Sequence, residues 1–232
     1  NVIWDHDKTQ RFIDILSCYR KDIENERQAF IYQESHNKRQ LKNYVHSLMN
    51  HYSRLLFIRI DLKYAKETSH HVTIEGFDYH MSKFRELIGK AKNCKPKSCF
   101  EHLQGNAWAI EQGGEEGGLH CHLLLMYDGS ERQNDWYIAK EVGEKWKEVT
   151  AGLGEYYSYH DKERKQQYKQ HDKLGIGMIH QNNPIEVENA LASALYLTKP
   201  SKNEQQLKLW LPNMRTFGHG IYRTKKRRGL PE

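Results

Sequence analysis

Two apolar segments joined by a glycine-rich loop constrain the fold of this chain more than any other feature. The segments are residues 107–112 and 119–127, and the loop between them reads Gly-Gly-Glu-Glu-Gly-Gly. Short apolar runs bounded by turn residues are typical of strands, and a link of this kind favours a hairpin. If the loop closes a symmetric hairpin, Glu111 lies directly opposite His120, with the two Cβ atoms about 5 Å apart.

The second strand of this hairpin carries His120-Cys121-His122. Side chains alternate between the two faces of a strand, so both histidines share a face with Glu111. Two imidazoles and a carboxylate leave coordination positions open for water and a phosphate oxygen. The pattern predicts a divalent metal held by Glu111, His120 and His122, and ligand chemistry alone admits Mn²⁺, Zn²⁺ or Co²⁺. The alternative is a hydrogen-bonded Glu–His pair that stabilises the hairpin.

The rest of the chain alternates between strand and helix periodicity. Further strands are predicted at 55–62 and 176–180, and helices at about 77–88, 134–149 and 183–199. The order strand, helix, strand, strand, helix, strand, followed by an additional helix, predicts an α+β fold with a ferredoxin-like or RRM-like βαββαβ sheet. The polar, tyrosine-rich stretch 154–173 is expected to be a mobile loop.

Three units are expected along the chain. Residues 1–50 form a helical N-terminal extension against the core, because apolar residues recur there at helical spacing. Residues 51–224 contain the sheet, and residues 225–232 form a basic C-terminal tail. From residue 199 onward nine Lys or Arg stand against two Glu, whereas the net charge of the whole chain is only +6. The run Lys225, Lys226, Arg227, Arg228 suits contact with a phosphate backbone, and a solvated tail is the alternative.

The last predicted helix presents a candidate nucleophile. It begins at Asn183-Pro184, a good N-cap followed by proline, and carries Tyr196-Leu197-Thr198-Lys199 near its end. Residues three apart on a helix share a face, so the phenol of Tyr196 and the ammonium of Lys199 are expected to lie together. The alternative is a tyrosine that anchors the helix to the core. Rival nucleophiles without a predicted scaffold are Tyr156, Tyr157 and Tyr159.

Composition and cysteine spacing indicate the cellular compartment of the chain. No apolar run approaches the roughly 20 residues that a membrane-spanning helix needs, and the N-terminus lacks a signal-peptide pattern. The four cysteines are too few and too unevenly spaced for a disulfide framework, which favours a reducing compartment. We expect a cytoplasmic protein with no membrane partner.

The two motifs E-x8-H-x-H and Y-x-x-K together resemble those of the HUH endonuclease superfamily, the rolling-circle replication initiators. Four further blocks are similar to the filamentous-phage (inovirus) gene II-like replication proteins. These are Arg59-Ile60-Asp61-Leu62, the glutamate-containing glycine loop before His120, the block from Tyr196 to Lys199, and Arg215-Thr216-Phe217-Gly218. The likeness covers about residues 54–223 and leaves out the helical first fifty.

The resemblance implies a set of roles. It implies that Glu111, His120 and His122 hold Mg²⁺ or Mn²⁺, that Tyr196 attacks DNA to form a 5′-phosphotyrosine link, and that Lys199 assists at the scissile phosphate. Asp61 is a further metal ligand or orients a histidine. The candidate DNA-phosphate contacts are Arg59, Arg215, His219 and Arg223. The implied partners are single-stranded DNA at a replication origin and a host helicase and polymerase, in the cytoplasm of a bacterial cell.

Two departures from the family pattern stand out. The residue between the histidines is Cys121, where a bulkier aliphatic is common, and the catalytic helix carries one tyrosine where some phage initiators carry two. Three alternatives stay open. The first is a non-catalytic RRM-like nucleic-acid-binding module, the second a phosphoesterase in which water attacks, and the third a single-tyrosine transposase or relaxase with the same chemistry.

Overall fold

An antiparallel sheet with helices on both faces forms the body of the protein. The computed structural model describes residues 5–91, 98–113, 118–198 and 211–222. The strands are β1 (Arg54–Tyr64), β2 (Leu103–Gln112), β3 (Leu119–Asp128), β4 (Gly154–Ser158), β5 (Gly177–His180) and β6 (Phe217–His219). The helices are α1 (His6–His51), α2 (Ile74–Ala91), α3 (Asp135–Val149), α4 (Lys162–Gln170) and α5 (Pro184–Leu195). Short 3₁₀ turns cover Ser69–His71 and Tyr196–Thr198.

The sheet has six strands where the sequence predicts four. Its order is β4-β1-β3-β2-β6, and β5 also pairs with β1. The two short strands share one edge of β1, because β5 pairs with residues 54–57 and β4 with residues 60–64. Every pairing is antiparallel. The prediction of an α+β fold is confirmed, and β4 and β6 are the strands that it missed.

The two faces of the sheet bury different kinds of side chain. On the first face, α2 and α3 pack large apolar residues such as Phe84 and Trp146 against β1 and β3. On the second face, the end of α1 and the small residues of α5 lie over Ala107 and Ala109 of β2. We call this second side the α1–α5 face. Its short side chains leave room for the polar groups described below.

The N-terminal extension is one continuous helix of 46 residues. Its predicted helicity is confirmed, but only its last part lies against the core, through Leu41, Tyr44, Val45, Leu48 and Met49. Gly105 of β2 permits this close approach, because a Cβ there would lie 2.5 Å from Leu48 Cδ1. Residues 6–33 are almost entirely exposed, so the expectation that the whole extension packs against the core is wrong.

The stretch 154–173 is not a loop. Residues 154–158 form β4, whose backbone pairs with β1, and Asp161 caps α4 by accepting a hydrogen bond from Arg164 N at 2.8 Å. The prediction of a mobile loop is wrong because polar residues with little apolar periodicity can still form an edge strand and a capped surface helix. Tyr156, Tyr157 and Tyr159 therefore have a scaffold.

The last helix starts where the sequence predicts and ends earlier. Asn183 Oδ1 accepts from Glu186 N at 3.3 Å, and Pro184 occupies the first turn. The α-helix ends at Leu195, and Tyr196 begins a 3₁₀ turn in which Thr198 Oγ1 donates to Leu195 O at 3.0 Å. A tightened last turn is common at helix ends. Tyr196 therefore lies on a turn after the helix, and Lys199 lies outside the described residues.

Candidate metal centre

The β2–β3 hairpin has the register that the sequence predicts. Glu111 pairs with His120, and His122 pairs with Ala109. Because the register keeps the three polar side chains on one face, Glu111, His120 and His122 bring ligand atoms within 4.8 Å of one another. Glu111 Oε2 lies 3.1 Å from His122 Nε2 and 3.7 Å from His120 Nε2. These three residues could hold a metal ion.

Asp61 of β1 completes the polar group on the α1–α5 face. It pairs with His122 in the β1–β3 register, and His122 Nδ1 donates to Asp61 Oδ1 at 2.6 Å. This bond turns Nε2 of His122 toward Glu111. Of the two roles that the resemblance allows for Asp61, the geometry fits the orientation of a histidine, which is a common partner arrangement around metal-binding imidazoles.

The imidazole of His122 lies between two carboxylates. Burial disfavours a charged ring, but the hydrogen bonds to Asp61 and Glu111 outweigh burial and raise the pKa of His122. For Asp61, burial disfavours ionisation, but the bond from His122 lowers its pKa below the usual value. Because a carboxylate faces each ring nitrogen of His122, a proton or a cation is needed between its Nε2 and Glu111. A metal can take the place of that proton.

The 3₁₀ turn after α5 brings Tyr196 to the same face. The ring centroids of Tyr196 and His122 are 5.8 Å apart and the rings are nearly perpendicular, at 81°. Arg59 of β1 lies over the face of the phenol ring, with its Cζ 4.2 Å from the Tyr196 ring centroid. The structure therefore brings the predicted nucleophile next to the predicted metal ligands.

Tyr159, one of the rival nucleophiles that the sequence offers, lies where it can support Asp61 instead. Its hydroxyl donates to Asp61 Oδ2 at 2.6 Å, and its ring lies 4.7 Å from Arg59 Cζ. The guanidinium is thus held between two tyrosine rings, and its Nε is buried with no hydrogen-bond partner among the described residues. Burial and the carboxylate of Asp61 raise the pKa of Tyr159, so its hydroxyl stays protonated as a donor.

A second Asp–His pair, which no sequence pattern indicates, lies beside the site. The buried His160 donates from Nδ1 to Asp135 Oδ2 at 2.8 Å, and its Nε2 accepts the backbone N–H of Arg59 at 3.0 Å. Lys165 also donates to Asp135 at 2.6 Å. These bonds fix the connection after β4, and with it Tyr159. Asp135 and His160 are 25 residues apart, and the bond that ties His160 to β1 joins residues 101 apart, so no local pattern reveals either contact.

The remaining predicted contacts are spread over the molecule or lie outside the described ranges. His219 of β6 pairs with Ala107, and its ring stacks on Tyr44 of α1 at 4.8 Å, so it helps to fasten the helix to the sheet. Arg215 is exposed on the approach to β6. The predicted DNA contacts outside the described residues are Arg223, Lys225, Lys226, Arg227 and Arg228.

None of the helices in the described ranges is long and apolar enough to cross a membrane.

The family of the YagK/YfjJ C-terminal domain matches residues 19–220, which include all the residues of the candidate centre. No curated protein and no solved structure matches the chain significantly. Because the family match covers most of the sequence, the chain belongs to the YagK/YfjJ C-terminal domain family.

Proposed function

We propose that this protein is a metal-dependent HUH-type endonuclease that nicks single-stranded DNA and becomes joined to the 5′-phosphate through Tyr196. The observation that carries the proposal is the contact between the Tyr196 and His122 rings, with centroids 5.8 Å apart. This distance puts a phenol within a phosphate's reach of the group Glu111, His120 and His122. The same chemistry serves rolling-circle initiators, single-tyrosine transposases and relaxases, and the phage-like motifs favour replication.

The residues of the site divide the work of such a transesterification. Glu111, His120 and His122 would hold Mg²⁺ or Mn²⁺, which supplies Lewis-acid polarisation of a phosphate oxygen. Tyr196 Oη attacks phosphorus, its bond to phosphorus forms, and the bond from phosphorus to the 3′-oxygen breaks. The phenol loses a proton and the released 3′-oxygen gains one, so no proton is consumed. The phosphotyrosine ester conserves the bond for a later joining step.

Arg59 is the cation best placed to receive the phosphate. Its buried Nε has no hydrogen-bond partner in the described part of the chain, and a buried donor without a partner is costly. A guanidinium between two rings keeps its planar edge available for an anionic oxygen. We therefore assign Arg59 to the transferring phosphate. Lys199 keeps its proposed role as a helper at the scissile phosphate, and Arg215 and the basic tail are assigned to the flanking DNA backbone.

The sheet supports the proposed relationship to ferredoxin-like and RRM-like folds. The path β5-β1-β3-β2 is antiparallel throughout, and α2 and α3 connect its strands. A split βαβ core of this kind has β4 and β6 as edge additions.

The proposed setting is an origin of replication on DNA in a bacterial cytoplasm, with a host helicase and polymerase as partners.

A covalent adduct tests the proposal directly. The protein is incubated with Mn²⁺ and a pool of single-stranded oligonucleotides of randomised sequence, labelled at the 3′ end, and the products are run on a denaturing gel. We expect a labelled band that migrates with the protein and disappears with EDTA. Tyr196→Phe should give none, whereas Tyr157→Phe, the matched control, should give the wild-type amount.

The other outcomes separate the competing functions. Cleavage by Tyr196→Phe without an adduct would assign the attack to water and make the protein a phosphoesterase. Binding of the pool without cleavage in Mn²⁺ or Mg²⁺ would favour a nucleic-acid-binding module. His120→Ala should lose cleavage and keep DNA binding, because it removes a metal ligand and leaves Arg59 in place.

A further inference from the structure

The outer part of α1, residues 6–33, concentrates exposed apolar side chains. Among the described residues, nine of the seventeen large hydrophobic residues that are exposed fall between positions 12 and 32. They are Phe12, Ile13, Ile15, Leu16, Tyr19, Ile23, Phe30, Ile31 and Tyr32. Single exposed apolar residues need no explanation, but a dense patch on one helix marks an interaction surface.

Five of these residues follow the spacing of a coiled-coil seam. Phe12, Leu16, Tyr19, Ile23 and Phe30 are separated by four, three, four and seven residues, and Glu26 occupies the one remaining seam position. Over this length the seam runs about 27 Å along the helix. A seam of this type is completed by a second helix.

A depression lies beside the seam on the same stretch of α1. It is lined by Ile13, Leu16, Ser17 and Arg20 and continues to Ile23 and Glu24, so it shares Leu16 and Ile23 with the seam. Most of the stability of a helix in a protein comes from packing of its apolar face, so a partner would stabilise this exposed segment.

We propose that the outer part of α1 pairs with the same segment of a second copy of the chain, in antiparallel orientation. A two-fold axis at Lys21 places Phe12 opposite Phe30 and Tyr19 opposite Ile23. The surface is therefore self-complementary, as a two-fold interface requires. The same axis places Glu26 opposite Leu16, whereas a parallel pair would place Glu26 against its own copy.

Charge favours the antiparallel orientation as well. Residues 6–21 carry four Lys or Arg and two Asp, and residues 22–34 carry four Asp or Glu and one Arg. Antiparallel pairing lays the basic part of each helix along the acidic part of the other. The helix dipoles are opposed in this arrangement too, which is the favourable orientation for neighbouring helices.

Measurement of mass in solution tests the pairing on the full chain. Sedimentation equilibrium over a wide range of concentration should show a rise from the monomer mass of 27.6 kDa to twice that value. Leu16→Asp buries a charge in the seam and should raise the dissociation constant at least about tenfold. Gln28→Asp lies on the opposite side of the helix and is the matched control, with the wild-type constant expected.

Cross-linking tests the orientation in a Cys18→Ser background. Tyr19→Cys and Ile23→Cys proteins should form a disulfide-linked dimer when mixed, because these positions face each other across the antiparallel seam. Neither should cross-link alone, since the two copies of each position are too far apart for the short reach of a disulfide. Cross-linking of Tyr19→Cys alone would overturn the antiparallel orientation.

A wild-type protein that stays monomeric at every concentration would overturn the pairing. If its outer segment is then resistant to protease, another part of the same chain covers the seam. Unchanged thermal unfolding of the sheet in Leu16→Asp excludes misfolding as the cause of lost pairing. The inference stands apart from the proposed nicking activity, because mass and cross-links are measured without DNA.

Discussion

Two buried histidines of this protein each donate from Nδ1 to an aspartate, and they differ in what faces Nε2. His122 donates to Asp61 at 2.6 Å and has the carboxylate of Glu111 3.1 Å from Nε2. His160 donates to Asp135 at 2.8 Å and accepts the backbone N–H of Arg59 at Nε2. Both pairs contact the same strand, β1, within three residues of each other.

The difference separates a structural histidine from a ligand. The ring of His160 has one acceptor and one donor as neighbours, so a single neutral tautomer satisfies both nitrogens. The ring of His122 has acceptors on both sides, so one position calls for a proton or a cation. An aspartate partner at Nδ1 alone therefore does not mark a metal-binding histidine. What distinguishes the ligand is an acceptor, rather than a donor, at Nε2.

Replacement of each histidine in turn should give the largest difference between the two pairs. His122→Ala removes a metal ligand, so we expect Mn²⁺ affinity to fall by more than about 100-fold. His160→Ala should leave the affinity within a few-fold and instead lower the free energy of unfolding by about 2–3 kcal/mol, because two buried groups lose their partner. Titration calorimetry and urea unfolding measure the two effects. Equal loss of Mn²⁺ affinity in both variants would contradict the distinction.

Replacement of each aspartate should give a smaller effect of the same kind. Asp61→Asn removes the acceptor that orients His122, and loss of such partners costs about 10- to 100-fold in metal affinity. Asp135→Asn, which alters the other pair in the same way, should bind Mn²⁺ as the wild type does. The same calorimetric titration compares the two. Wild-type affinity in Asp61→Asn would remove Asp61 from the site.

Asp135 should reveal its role through the pH dependence of stability. Burial opposes its ionisation, but the bonds from His160 and Lys165 lower the pKa of Asp135 to about 2. Because the folded-state pKa is depressed, the stabilisation is complete above the unfolded-state value near 3.8 and is lost as the pH falls toward 2. The shift corresponds to about 2 kcal/mol at neutral pH.

The measurement compares urea unfolding of the wild type and Asp135→Asn at several pH values. The difference in unfolding free energy should be constant from pH 7 to about 5 and should shrink below about pH 4. A difference that grows on acidification would have the wrong sign. Asp161→Asn changes a nearby, partly buried helix cap and provides the comparison for a carboxylate outside the pair.

Tyr159→Phe should have the smallest effect on the site. It removes the hydrogen bond to Asp61 and keeps the ring beside Arg59, so we expect Mn²⁺ affinity to fall no more than about tenfold. Tyr157→Phe removes a hydroxyl from a neighbouring ring and should leave Mn²⁺ affinity unchanged. A loss in Tyr159→Phe as large as that in His122→Ala would make Tyr159 more than a support for Asp61.

Local patterns explain which parts of the molecule could be predicted from the sequence. The β2–β3 register follows from side-chain alternation and a symmetric loop, so the pairing of Glu111 with His120 was predictable. The start of α5 was predictable because Asn183 and Pro184 act within one helical turn. The approach of Tyr196 to the ligand group follows from no local pattern, and the structure brings the two together.

Long-range contacts explain the rest. The bond from His122 to Asp61 joins residues 61 apart, and the register of β1 on β3 is fixed by the whole sheet rather than by a local pattern. The edge strand β4 and the helix α4 are polar, so they lack the apolar periodicity on which prediction depends. For that reason the sequence indicates neither His160 nor the supporting role of Tyr159, although the capping Asp161 is a local sign of a helix.

The pairing of β2 with β3 sets a rule for how this family can vary. An insertion or deletion of one residue between His120 and His122 would shift the phase of the strand and send one ligand into the apolar layer under α2 and α3. A change of two residues restores the phase but moves one histidine about 7 Å along the strand, away from the other ligands. Relatives that keep the site should therefore keep one residue between the two histidines.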